Sequence, residues 1–259
     1  MANGDQSAAL FAFGAPQPDI AYINIGTGAF VQRVTQQRPH HARLLSSVVL
    51  QTAEHTLYTL EGTVNGAASA LQWASNALGL SNIESNMENW LAHSTTPPLF
   101  LNGVSGLGAP YWIADFQSQF IGVGEAWEKM VAVVESIVFL LHTNLHEMES
   151  ACPAPRTIVI SGGLATLNGL CQHLADLCGL PVCRPTECEA TACGMAFLLA
   201  GQETMSDPWG LHNYGHSPES MPDTIFTPAP NPALQARYRL WQHAMPKYAE
   251  NIGDRSQYC

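Results

Sequence analysis

The sequence contains very little lysine. Only two of its 259 residues are lysine, Lys129 and Lys247, and its formal net charge at pH 7 is −11. Proteins that bind DNA or RNA neutralise phosphates with clustered lysine and arginine side chains. This scarcity of basic residues predicts that the protein has no nucleic-acid partner.

Several site signatures are also absent. Neither lysine follows a glycine-rich turn, so there is no GxxxxGK[ST] phosphate loop. The sequence has no GxGxxG after a strand, which excludes a Rossmann dinucleotide site, and no GxSxG nucleophile turn of the α/β hydrolases. If a phosphate is bound, backbone N–H groups must hold most of it.

The chain has no long hydrophobic run. Its most apolar helical stretch, residues 130–141, is short and is interrupted by Glu135, and no basic segment precedes an apolar one near Met1. We therefore predict no membrane span and no signal peptide, and expect a cytoplasmic protein.

The seven cysteines do not form a metal-binding pattern. Six lie between Cys152 and Cys193, but none form a CxxC pair and no histidines follow at zinc-finger spacing. His142 and His146 are one helical turn apart without an HExxH motif. We therefore assign no metal ligand and interpret the cysteines as buried, reduced thiols.

The apolar periodicity predicts an α/β domain. Strand-like runs and helix-like runs alternate in the second half of the chain, and a predicted hairpin near the start joins residues 20–25 to 29–34. The further predicted strands are 46–51, 55–60, 98–101, 157–160 and 181–183, and the predicted helices are 65–80, 125–149, 167–177, 189–199 and 232–248. Residues 202–230 are expected to be irregular.

Three glycine clusters are candidate sites. Gly26-Thr27-Gly28 is either a tight turn or a phosphate cradle built from backbone N–H groups. Ser161-Gly162-Gly163 ends a strand and begins a helix, where free N–H groups attract anions, although a close strand–helix contact would also require glycine. The loop at 103–110 is either structural or the edge of a lid.

Taken in order, short motifs along nearly the whole chain resemble the C-terminal domain of the FGGY family of carbohydrate kinases, and its glycerol kinase branch most of all. They are GDQSAALF at 4–11, GTGAF at 26–30, LEG at 60–62, LQW at 71–73, SGLGAPYW at 105–112, SGG at 161–163 and EAT at 189–191. An ordered series of this kind is far more specific than any one member.

The resemblance implies the fold and the organisation. We expect an actin-like ATPase (ribonuclease H-like) domain over residues 1–259, with a mixed sheet and helices on both faces, forming the C-terminal half of a two-domain kinase. In this family an N-terminal domain supplies a DxGT phosphate loop, much of the sugar site and most of the Mg²⁺ ligands. Because this chain lacks that domain, we expect it to be inactive by itself.

The resemblance also implies roles for individual residues. Asp5 would be the general base, and Gln6 and Phe30 would contact the sugar or polyol substrate. ATP would be held by a set of seven residues: Gly26, Thr27, Gly28, Gln72, Gly162, Gly163 and Asn168.

Four positions depart from the family pattern, namely Ala68, Ile113, Val131 and Leu164. The expected activity is transfer of the ATP γ-phosphate to a sugar or glycerol hydroxyl. The alternative is a non-catalytic nucleotide-binding or interaction module that pairs with a separate chain. A homodimer is compatible with both.

Overall fold

A computed structural model describes residues 5–51, 56–94, 96–186, 190–201 and 223–246. These residues contain nine strands and seven α-helices. The strands are β1 Ile20–Ile25, β2 Ala29–Thr35, β3 Leu45–Gln51, β4 Thr56–Val64, β5 Leu99–Leu101, β6 Gln119–Ile121, β7 Thr157–Ser161, β8 Val182–Pro185 and β9 Asp223–Phe226. The helices are α1 Asp5–Ala9, α2 Ala68–Leu78, α3 Ile83–His93, α4 Ala126–Met148, α5 Asn168–Cys178, α6 Ala190–Gly201 and α7 Pro232–Ala244.

Seven strands form one mixed sheet in the order β3-β4-β2-β1-β7-β8-β9, and β5 pairs with β6 separately. The first four strands of the chain pair with one another in antiparallel fashion. β7 and β8 then extend the sheet parallel to β1, and β9 closes it antiparallel to β8. The predicted mixed sheet and the predicted β1–β2 hairpin are confirmed.

Helices cover both faces of this sheet, also as predicted. Ala21, Ile23 and Ile25 of β1 point into a large core shared with α2, α3, α4, α5 and α7. Alternate residues of a strand point to opposite faces, so Tyr22 belongs to a smaller core that includes Leu10 and Leu198. The sheet is thus buried on both sides by helices of unequal number.

Helix α4 is the centre of the large core. The sequence predicts a one-sided apolar stripe, but 16 of its 23 residues are buried. The polar residues among them have partners: Asn144 donates to the carbonyl oxygens of Leu140 and Ala109, and Glu135 forms a two-pronged ion pair with Arg237 of α7. The predicted stripe is buried from Met130 to Met148, and the burial extends beyond it because neighbouring elements enclose the helix on almost every side.

Other sequence-based predictions also need correction. Helix α3 and strand β6 were not predicted, and β9 lies inside the segment expected to be irregular, of which residues 202–222 lie outside the described part. In α2 the buried residues are Ala70, Leu71, Ala74 and Ser75, whereas Gln72 is exposed. A short 3₁₀ helix, Gly163–Thr166, precedes α5.

The five described cysteines are free thiols; Cys152 and Cys171 are buried as predicted, whereas Cys178, Cys183 and Cys193 are only partly buried. Burial raises the pKa of Cys171 to about 12, and burial also raises the pKa of Cys178 far above its usual range. Such thiols stay protonated and unreactive at neutral pH. None of the described helices is long and apolar enough to cross a membrane.

Stability should decrease in mild acid because of His142. Its ring packs edge-on against Tyr238, and its Nδ1 lies 3.3 Å from the sulfur of Cys178. Burial, helped by the nearby His146, lowers the pKa of His142 to about 4. An unfolded histidine titrates near pH 6.5, so between about pH 6.5 and 4 the unfolded chain binds the extra proton. The free energy of unfolding should therefore fall as the pH falls through this window, by up to about 3 kcal/mol.

Urea denaturation at a series of pH values measures this effect. The variant His142→Phe should show a shallower dependence on pH than the wild type. The matched control His243→Gln, at an exposed position on α7, should keep the wild-type slope. Equal slopes for all three proteins would exclude His142 as the source.

Candidate functional site

The β1–β2 turn contains two glycines with different constraints. A Cβ atom on Gly28 would lie 2.7 Å from the carbonyl oxygen of Val64, so packing against the end of β4 requires glycine there. A Cβ atom on Gly26 would meet nothing within 4 Å. Gly26 therefore exposes bare backbone to open space, and Thr27 between the two glycines is exposed.

This turn also caps helix α2. The carbonyl oxygen of Thr27 accepts hydrogen bonds from the N–H groups of Ala67 and Ser69, at 3.0 and 3.1 Å, and that of Gly26 accepts from Ala68 at 3.1 Å. These are the N–H groups that a helix start leaves without intrahelical partners. The start of α2 is therefore satisfied by protein atoms, and the turn is held rigidly against the helix.

In the Ser161-Gly162-Gly163 turn, too, one glycine is required by a close backbone contact and the other is not. Gly162 has φ +93°, and a Cβ atom there would lie 2.5 Å from the carbonyl oxygen of Ile25 at the end of β1. Gly163 has open space around its Cα. Among the glycines in the described part of the chain, only Gly26 and Gly163 combine an ordinary φ with open space.

Gly26 and Gly163 line one groove. It has a volume of about 520 Å³ and lies between the β1–β2 turn, α2, α3 and the segment 163–167. The lining residues are Gly26, Ala68, Leu71, Gln72, Ile83, Glu84, Met87, Glu88, Gly163, Leu164, Thr166 and Leu167. Three of the residues expected to hold a nucleotide, Gly26, Gln72 and Gly163, thus come together from three separate segments.

The start of α5 is occupied by a carboxylate. Both oxygens of Glu88 accept hydrogen bonds from this helix start, one from the N–H of Asn168 and the other from Gly169 at 3.0 Å. One of the two interpretations of the Ser161-Gly162-Gly163 turn was that the N–H groups after it attract an external anion. In the structure Glu88 satisfies those of α5 itself.

Asn168 lies beside the groove and does not line it. Its side-chain oxygen accepts a hydrogen bond from Arg184 at 2.9 Å, and its backbone N–H donates to Glu88. Gly28 and Gly162, likewise, lie next to the groove and make close backbone contacts. The lining instead includes Leu167, which the sequence did not indicate, and Leu164, one of the four positions that depart from the family pattern.

Phe30 lies on the other face of the sheet. It is half-buried in β2 between Ala29 and Val31, which point into the large core. Alternation places Phe30 on the face that carries α1. Asp5 and Gln6 are the first two residues of α1, and their side chains lie outside the described part.

The loop at 103–110 packs tightly, which favours its structural interpretation over a lid edge. Leu107 and Ala109 are buried, and a Cβ atom on Gly108 would lie 2.5 Å from the carbonyl oxygen of Thr63. In the described ranges, no three His, Cys, Asp or Glu side chains come together as a metal site.

The family model for the C-terminal domain of the FGGY family of carbohydrate kinases matches residues 21–202. A glycerol kinase of Gloeobacter violaceus is 33% identical over an alignment of 259 positions, which includes 95% of this chain and 51% of that protein. A glycerol kinase of Alkalilimnicola ehrlichii is 33% identical over 93% of this chain and 49% of its own length. The chain thus spans about half the length of the curated relatives it matches.

Solved structures share the fold. Plasmodium falciparum glycerol kinase with ADP superposes with a TM-score of 0.77 at 20% identity, covering 93% of this chain and 49% of that one. A xylulose kinase from Lactobacillus acidophilus gives a TM-score of 0.74 at 20% identity, covering 92% and 49%. The predicted actin-like ATPase fold is thereby confirmed. With a family model that covers most of its length and relatives at one-third identity, the chain belongs to the FGGY family of carbohydrate kinases and corresponds to their C-terminal domain.

Proposed function

We propose that this domain binds ATP in the groove and carries the general base for transfer of the γ-phosphate to a hydroxyl of a polyol or sugar. The observation that carries the proposal is that Gly26 and Gly163, the two unconstrained glycines, line the same groove in a member of this kinase family. Glycerol is the first acceptor to test, because the relatives at one-third identity are glycerol kinases.

The groove fits a nucleotide in size and chemistry. Pockets for cofactor-sized ligands are typically a few hundred to about 1,000 Å³ with mostly apolar walls, and this one has about 520 Å³. Leu71, Ile83, Met87, Leu164 and Leu167 supply apolar surface for a flat base. Bare backbone at Gly26 and Gly163 permits the close approach of ribose and phosphate groups.

The charges in the groove favour one orientation of the nucleotide. Glu84 and Glu88 line the α3 side, and their carboxylates would repel phosphates. The exposed β1–β2 turn carries no acidic side chain and offers the Thr27 hydroxyl and the backbone N–H groups other than that of Gly26, which donates to the Gly28 carbonyl oxygen at 2.8 Å. We therefore place the base towards α3 and the phosphates towards Gly26, Thr27 and Gly28.

The acceptor would bind on the α1 side of the sheet. Phe30 offers an aromatic surface to the carbon chain there, Gln6 would hydrogen-bond a hydroxyl, and Asp5 would accept the proton of the attacking hydroxyl. Phosphoryl transfer depends on in-line positioning and on neutralisation of charge, with a carboxylate near the nucleophile. Gly26 of the β1–β2 turn lines the groove, and Phe30 follows the same turn in β2, so the turn can align donor and acceptor.

Mg²⁺ would neutralise the phosphates in this reaction. Because the described residues bring no three metal-ligating side chains together, we assign the ion to the phosphate oxygens and to carboxylates of the N-terminal domain that the family resemblance implies. We place the domain in the cytoplasm, a reducing compartment that the free thiols of the described cysteines suit. The proposal does not require a homodimer.

Gly163→Val should weaken nucleotide binding without unfolding the protein. The new side chain has space in the fold but enters the groove, so we expect the Kd for ADP to rise about tenfold or more. Titration calorimetry on the complete protein measures the Kd, and thermal unfolding verifies that the variant is folded. The contrasting variant Gly162→Ala should lower the Tm, because its Cβ would lie 2.5 Å from the Ile25 carbonyl oxygen. An unchanged Kd in folded Gly163→Val would contradict the assignment of the groove.

Asp5→Asn in the complete enzyme should lower kcat by about 10² to 10⁴, the usual contribution of a positioned general base. The Kd for ADP should change little, because Asp5 belongs to the α1 side of the sheet. Asn retains the helix-capping ability of Asp, so the substitution separates catalysis from helix stability. Near-normal turnover in a folded Asp5→Asn enzyme would mean that Asp5 only stabilises α1.

A further inference from the structure

Glu88 connects two helices that border the groove. It projects from α3, and its two carboxylate oxygens accept hydrogen bonds from the first two N–H groups of α5, those of Asn168 and Gly169. A negative charge at a helix start is stabilised by the helix dipole, and such charge-assisted hydrogen bonds are stronger than neutral ones. Glu88 thus fixes the distance between α3 and the start of α5.

The two helices are in close contact at this point. A Cβ atom on Gly169 would lie 2.7 Å from the Cδ1 atom of Leu91, one turn after Glu88 on α3. Glycine at 169 therefore permits the approach that brings Glu88 within hydrogen-bonding distance. The contact between Glu88 and the start of α5 thus depends on the close packing of α3 against α5 at Gly169.

Arg184 of β8 holds the same turn from the other side. Its Nη1 donates to the carbonyl oxygen of Ala165 at 2.8 Å and to the side-chain oxygen of Asn168 at 2.9 Å. Its guanidinium group lies over the ring of Phe226, 5.2 Å from the centroid. The segment 163–168, which forms one wall of the groove, is thus held between a carboxylate and a guanidinium.

We propose that Glu88 and Arg184 are positioning residues that set the width of the groove and thereby its affinity for the nucleotide. This inference rests on the proposed function. Without Glu88 the wall would be free to move away from α3, and Leu164 and Leu167 would lose their contact with a bound base. The start of α5 also stabilises the charge of Glu88, so this charge opposes an anionic ligand less than that of a free carboxylate would.

Glu84 provides a matched control. It lies one turn before Glu88 on α3 and lines the same groove, but the described residues give its side chain no hydrogen-bond partner. Glu88→Gln and Glu84→Gln therefore remove the same charge from the same groove. Only the first loses an acceptor for the N–H groups of α5, since Gln keeps one of the two oxygens, so the difference between the two variants measures positioning.

The experiment uses the complete protein with ADP as the probe for binding and with ATP for kinetics. Glu88→Gln should raise the Kd for ADP and the KM for ATP roughly tenfold, with kcat at saturating ATP nearly unchanged, and Glu84→Gln should have a clearly smaller effect. Arg184→Lys, which keeps the charge but cannot span the same acceptors, should act in the same direction as Glu88→Gln. Thermal unfolding curves define an assay temperature at which all the variants are folded. If Glu88→Gln does not fold, the comparison of Arg184→Lys with the wild type tests the proposal.

The outcomes are distinguishable. Equal effects of Glu88→Gln and Glu84→Gln in a protein that binds ADP would overturn the positioning role and leave the proposed function intact. A loss in kcat without a change in KM would also overturn it, because a displaced base-binding wall acts on nucleotide affinity. A wild-type protein that does not bind ADP would overturn both.

Discussion

The close approach of two backbone segments at the centre of the sheet organises the site. Gly162, at the end of β7, lies so near the carbonyl of Ile25, at the end of β1, that no side chain fits between them. Parallel neighbours end at the same edge of a sheet, and ligands bind there in α/β folds. This contact therefore places the β1–β2 turn and the segment after Gly162 side by side, and the groove opens between them and the helices α2 and α3.

The starts of α2 and α5 next to the groove are satisfied by the protein itself, and the third helix start there, that of α3, carries the carboxylate of Glu84. The β1–β2 turn provides carbonyl oxygens to α2, and Glu88 provides a carboxylate to α5. The usual anion site at a free helix start is thus unavailable at these two helices. A phosphate ligand must rely instead on the exposed turn at Thr27, where the backbone is rigid because its carbonyl oxygens are already bound to α2.

Structural features that depend on a local sequence pattern could be predicted, whereas contacts between residues far apart in the sequence could not. The hairpin, the Gly162-Gly163 turn and the long helix around Glu135 each have a local pattern, so their existence and order were predicted correctly. Helix α3 was missed because only Met87 and Leu91 of its residues are buried, which leaves a weak apolar period. The bridge from Glu88 to α5 joins residues 80 positions apart, and no local pattern reveals such a pair.

The departures from the family pattern can now be sorted by position. Ala68 and Leu164 both line the groove, whereas Val131 is buried in the second turn of α4. A methyl group at Ala68 and a branched side chain at Leu164 make the groove narrower and more apolar than smaller residues would. The affinity of a narrower groove for a bound base depends more on the correct placement of its walls. A small displacement of a wall would then separate the base from a larger share of its van der Waals contacts. The segment that carries Leu164 is the one held by the hydrogen bonds of Glu88 and Arg184. The residue type at 164 and these hydrogen bonds therefore both act on the contact between this wall and the base in the proposed complex.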